Sequence, residues 1–195
     1  MTMRTLMVPA AEAAARVMRA VPADRLDAPT PCPDWDVRAL VNHMIFWSGR
    51  AEGAAHKLPP PAEPGPDHDF TADGDWAELY AAHVHKAAEA WSEPAAWEGT
   101  TNLTGQGDMP ATFIGGIVFV ECVLHGWDLA AATGQRTAFR DDVVRAAYEH
   151  IERTADTGRK YGAFGPEVAV PGTAPLFDRL LGLTGRDPHW EPRRS

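Results

Sequence analysis

The sequence predicts an all-α protein, a four-helix bundle with long loops and a short extra C-terminal helix. Three observations lead there. Apolar residues recur at three- and four-residue intervals in successive segments. No series of alternating runs reads as the strands of a sheet. The breaks between periodic segments fall at prolines and glycines.

The first segment, about Thr5 to Ala20, places Met7, Ala11, Ala14, Ala15 and Met18 on one helical face, and Pro22 stops it. The stretch 28–33, Ala-Pro-Thr-Pro-Cys-Pro, holds too many prolines for a regular element. Asp34 is expected to cap the next helix, with Asp36 as a second negative charge in its first turn. That helix lines up Val37, Leu40, Val41, Met44 and Trp47. Leu58 to Asp69 carries five prolines and is expected to be a mobile loop. A helix from about Asp75 to Ser92 follows, with Trp76, Leu79, Val84, Ala87, Ala88 and Trp91 as its apolar positions. Gly99 to Pro110, rich in glycine and threonine, reads as a loop or short hairpin. The most apolar helix spans roughly Ala111 to Ala132, with Gly134 as its stop. Asp141 and Asp142 open a helix to about Ala155, 158–171 is irregular, and Pro175 to Leu183 forms the short last helix. The count is four main helices plus the short one.

A length of 195 residues suits one domain, 1–195, able to bury a core without staples. The net charge of −9 repels a phosphate backbone and speaks against a nucleic-acid partner. The small basic pairs Arg159-Lys160 and Arg193-Arg194 read as solvated surface. Cys32 and Cys122 form neither a disulfide framework nor a CxxC motif. The segment Met1 to Val8 lacks the pattern of a signal peptide, and the apolar run Phe113 to Leu124 is short for a membrane span. A soluble cytoplasmic protein is expected, as a monomer or homodimer.

The chemistry concentrates on the most apolar helix. Glu121 and His125, four residues apart, lie on one face one turn from each other, and such a pair can grip one cation. An ionised glutamate on a buried helix is costly unless it is paired or metal-bound. A third ligand should come from another helix, and His43, beside the apolar face of its segment, is the best candidate. His83, His85 and His150 fall on helices that look more exposed, and His56, His68 and His189 fall in or near loops. Two imidazoles and one carboxylate leave positions open for water or substrate, a catalytic pattern that suits zinc and also nickel or ferrous iron. The order E-x-x-x-H is common in helices by chance and is not the H-E-x-x-H protease signature.

Around these ligands, Asp128 can orient a ligand histidine, or cap a loop, or pair with an arginine such as Arg38. Trp47 and Trp127 are expected in the core rather than as pocket walls, Asn42 at the surface, and Cys122 as a buried structural thiol. Cys32, between prolines before a helix, is the one candidate redox residue, though packing is the expected role.

Two stretches carry a family resemblance. Thr30-Pro-Cys-Pro-Asp-Trp-Asp-Val-Arg-Ala-Leu-Val-Asn-His43 resembles the opening motif of the mycothiol-dependent maleylpyruvate isomerase N-terminal family, within the wider DinB/YfiT-like superfamily. Glu121-Cys-Val-Leu-His-Gly-Trp-Asp-Leu-Ala130 resembles its second motif, and Leu180-Leu-Gly-Leu-Thr-Gly-Arg-Asp-Pro188 also fits. The resemblance implies a DinB-like four-helix bundle with a divalent metal held by His43, Glu121 and His125. It also implies mycothiol, or another low-molecular-weight thiol, as co-substrate in an isomerase or S-transferase reaction on a small electrophile. The family's isomerase carries a further C-terminal domain for which this chain leaves little room, so a related activity is expected rather than that isomerisation itself. Two other functions share the ligand set: a hydrolase using metal-bound water, and a non-catalytic bundle that binds a small molecule or a partner.

Overall fold

The computed structural model describes residues 2–192 and contains, among them, six α-helices and one two-stranded hairpin. The helices are α1 (Met3–Arg19), α2 (Val37–Ala55), α3 (Trp76–Ser92), α4 (Ala111–Thr133), α5 (Asp141–Lys160) and α6 (Leu176–Leu183). Arg193 and Arg194 lie outside the described residues. In the bundle, α1 and α2 each pack against both α3 and α4, which makes a closed ring of four. The long α5 lies outside that ring against α1 and α4, and α6 packs on α5. The expected four-helix bundle is therefore present, but the helix count is one higher than the tally of four plus one. The apolar face of α5 covers the bundle rather than completing it.

Local chemistry accounts for the boundaries. The α2 N-cap is Asp36, whose carboxylate accepts from the Ala39 N–H at 2.8 Å, not Asp34 as expected. Asp34 sits two residues too early, exposed in the turn that follows Pro33. The α4 helix ends where Gly134 adopts the left-handed conformation at φ 71°, and the Gln135 N–H closes on the Ala130 carbonyl at 2.8 Å. Between α3 and α4, Thr100–Thr101 (β1) pairs antiparallel with Met109–Pro110 (β2), so the hairpin alternative holds for that segment. Pro9 sits inside α1 without ending it, because the alanine-rich face on both sides is buried against α3 and α4.

The core runs the length of the bundle, with Trp91, Phe119, Leu6, Met7, Met18, Leu40 and Ile45 among its largest fully buried side chains. Helix α4 is apolar all round and nearly all buried, as a central helix must be. By length and composition α4 could cross a membrane, but 78% of its most apolar window is buried inside this fold. Gly115 lets α4 approach α3 closely, since any Cβ there would strike the rings of Trp91 and Trp97. Arg159, read as solvated surface, instead ties α5 to the end of α6 through the Leu183 carbonyl at 2.8 Å.

The proline-rich loop is held rather than loose. Buried Arg50 stacks on the Phe46 ring and donates to the carbonyls of Pro61 at 3.2 Å and Pro64 at 2.9 Å. At the loop's far end Asn42 of α2 bonds Asp69 at 3.0 Å and the Phe70 N–H at 2.9 Å. The expectation of a mobile loop is corrected by these anchors: five prolines already restrict the chain, and α2 supplies the bonds they cannot make among themselves.

Candidate metal centre

The bundle brings His43 of α2 against Glu121 and His125 of α4. The His43 Nε2 lies 3.0 Å from Glu121 Oε2, and His125 Nε2 lies 3.5 Å from the same oxygen. One ligand atom from each of the three residues falls within 4.8 Å of the others. Ligand atoms about 2.0–2.2 Å from a tetrahedral zinc ion stand on the order of 3.4 Å apart, so the set needs little adjustment to share one cation. The helical spacing of Glu121 and His125 fixes two members, and the α2–α4 packing supplies the third.

A second layer orders His125. Its Nδ1 faces Asp128 Oδ2 at 2.9 Å, which directs Nε2 towards Glu121. Asp128 is fully buried, and Arg186 approaches it in a fork, with Nε on Oδ1 at 2.8 Å and Nη2 on Oδ2 at 2.7 Å. The Cys32 thiol donates to Asp128 Oδ2 at 3.3 Å. Two of the roles weighed for Asp128 occur together, since it bonds His125 and also pairs with an arginine. Its arginine is Arg186, just past α6, not Arg38, which turns outward to Asp27, Asp69 and Thr71.

The electrostatics favour positive charge between these carboxylates. Burial pushes the Glu121 carboxyl up, but His125 and the hydrogen-bonded His43 outweigh it and hold it at about 2. Burial also works against a charge on His125, yet Glu121, Asp128 and Cys32 raise it to about 10. Burial disfavours the Asp128 anion, and Arg186 and His125 nonetheless keep it well below the usual carboxylate range. Cys32, His125 and Asp128 form a second compact set of potential ligands. That set is filled already, because Asp128 is saturated by Arg186 and a second cation beside the guanidinium would be repelled.

Two cavities meet at the centre. One, of about 150 Å³, runs into the bundle between α2, α3 and α4, with His43 and Glu121 in its wall. The other, of about 310 Å³, lies on the far side of His43, between α2 and the proline-rich loop, and is rimmed by Trp35, Asn42, Asp67 and His68. Trp47, expected in the core, lines both. Trp35 stacks against His43 with ring centroids 4.5 Å apart. Asn42 is the anchor of the loop rather than an idle surface residue.

The remaining expectations fall as follows. His56, His68 and His189 are exposed and His85 is half-buried, all away from the ligand set. His150 is buried on α5, contrary to its expected exposure, and its ring fills the space left by Gly116 of α4. His83 is half-buried, with its Nδ1 buried and unpartnered. Cys122 is buried, and burial pushes its thiol up to about 12, in keeping with an inert structural role. Arg186 was missed as a site residue. Its signal was an arginine close behind the apolar run 180–183, where burial would call for an anionic partner.

Comparison with known proteins gives the family of the chain. Two uncharacterized proteins of Mycobacterium tuberculosis, from strains CDC 1551 / Oshkosh and ATCC 25618 / H37Rv, are each 31% identical over 189 residues, spanning 91% of this chain and 93% of the relative. The crystal structure of the mycothiol-dependent maleylpyruvate isomerase has the same fold, with a TM-score of 0.53 at 14% identity over 80% of this chain and 71% of that one. Residues 8–130, which include all three candidate ligands, match the mycothiol maleylpyruvate isomerase N-terminal domain family, and the chain belongs to that family.

Proposed function

We propose that this chain is a soluble metal-dependent enzyme in which His43, Glu121 and His125 hold one divalent ion, zinc foremost, and a small thiol of the mycothiol type attacks or isomerises an electrophilic substrate. One observation carries the reading: Glu121 Oε2 stands between two imidazoles in the wall of the inner cavity, His43 also lines the outer one, and Asp128 sets the orientation of His125. The family of thiol-dependent isomerases supports the choice of a thiol over other nucleophiles. An ion held there would supply a Lewis acid that lowers the pKa of a thiol or water brought to it.

The residues of the chain do the rest. His43 and His125 present neutral nitrogens once their protons are given up, and Glu121 supplies the anionic member of the set. Asp128 keeps the Nδ1 proton of His125 in place, so that Nε2 is the free lone pair. Arg186 neutralises Asp128 and leaves Glu121 as the carboxylate with spare capacity. Trp35 and Trp47 wall His43 and exclude bulk water from it. The two cavities offer separate approaches for two reactants.

The test is metal content by elemental mass spectrometry on untagged protein, beside the variants Glu121→Ala and His125→Ala. Near-stoichiometric metal in the wild type and none in either variant is the expected result. Folded wild type that stays empty when zinc is offered overturns the reading. Turnover of a substrate with no thiol present would keep the ligands but assign the nucleophile to water.

A further inference from the structure

We infer that the inner cavity selects an uncharged, ring-sized apolar group, so that the part of the substrate seated there is neutral and hydrophobic. The inference rests on the metal-centre reading for the reaction, but on the cavity alone for the ligand class. Met44, Ala51, Val84, Ala87, Ile114 and Val118 supply the body of the lining. Ser48, Tyr80 and Thr104 add hydroxyls, but neither lysine nor arginine is among the lining residues. His43 and Glu121, the polar pair in the wall, face each other at 3.0 Å and are two of the proposed ion's ligands, so the rest of the lining has no charged partner for an anion.

A carboxylate seated in the body of this space, away from the metal ligands, would lose its hydration and meet no lysine or arginine, which is a costly way to bury a charge. A neutral ring loses little on entry and removes apolar surface from water. The size agrees: apolar cavities of about 150 Å³ hold one benzene-sized ring, and this one measures about 150 Å³. Because His43 and Glu121 stand in the wall, a ring seated there lies beside the candidate metal ligands. The polar-rimmed cavity beyond His43 is left for the hydrophilic reactant.

Fluorine NMR on the protein as purified, with fluorobenzene and 4-fluorobenzoate as matched probes, tests this directly. Saturable binding of fluorobenzene, with 4-fluorobenzoate at least tenfold weaker, is expected. The variants Ile117→Trp and Ala51→Leu fill the cavity from opposite sides, and each folded variant should lose fluorobenzene binding while keeping its metal content. Equal or tighter binding of 4-fluorobenzoate to protein freed of metal by chelation overturns the inference, as does fluorobenzene binding that survives in a filled, folded variant. Metal content measured on the same samples separates the two readings. Metal-free wild type that still takes fluorobenzene supports the ligand class and sinks the metal centre. Metal-replete wild type that takes no fluorobenzene does the reverse.

Discussion

Glu121 and Asp128 are two carboxylates on one face of α4, two turns apart, with His125 between them, and their surroundings could hardly differ more. Asp128 is sealed inside the fold, and Arg186, His125 and Cys32 together occupy both its oxygens. Glu121 stays partly open to a cavity, and its Oε2 faces two imidazoles. The same chemical group therefore serves two ends. Where every lone pair is spent the carboxylate can only hold its neighbours in place, and where some remain it can take up something new.

Breaking the closed side should have the largest effect on folding. Arg186→Met leaves the Asp128 anion buried without its partner, a loss on the order of 3–5 kcal/mol, read as a shift in the urea unfolding midpoint. On the open side, Glu121→Gln should reduce metal content to background while changing the stability of metal-free protein by no more than about 1.5 kcal/mol, the scale of one hydrogen bond. If Glu121→Gln instead unfolds the chain, the distinction between the two carboxylates fails. Asp128→Asn tests the link between the sides. It keeps the shape but weakens the hold on His125, and metal affinity should drop about 10–100-fold by competition with a chelating dye.

A gentler probe is pH on metal-free protein. Glu121 ionises at about 2 in the fold against an ordinary 4.5, so its contribution is complete above pH 4.5 and fades as pH falls towards 2. His125 runs the other way. Its value rises from 6.5 to about 10, so its contribution is complete below pH 6.5 and is lost as pH climbs towards 10. The melting temperature should therefore be highest between pH 4.5 and 6.5, and His125→Gln should flatten the alkaline decline. Metal affinity should rise across that same alkaline range, because His125 must shed its proton to bind.

Much of this was legible in the sequence. Periodicity and cap residues marked a segment for each of the six helices, although the tally fell one short, and Gly134 ended α4 where its φ of 71° requires. The i, i+4 spacing exposed Glu121 and His125, because helix geometry alone makes them neighbours. What escaped depends on packing between distant segments. Arg186 reaches Asp128 across 58 positions of sequence, and no local rule prefers it to Arg38. The burial of His150 depends on a glycine of another helix, Gly116. The inner cavity is a gap among three helices, written in no single one of them.

The Asp128–Arg186 pair also bears on the order of synthesis. Both candidate ligands of α4 and the carboxylate that orients one of them are made well before residue 186. Until that arginine leaves the ribosome, α4 carries a carboxylate that cannot be buried without penalty, so the bundle cannot close fully around it. The last stretch of chain acts as a latch on the first-formed helices, and a nascent protein halted before Arg186 should stay open to protease at α4.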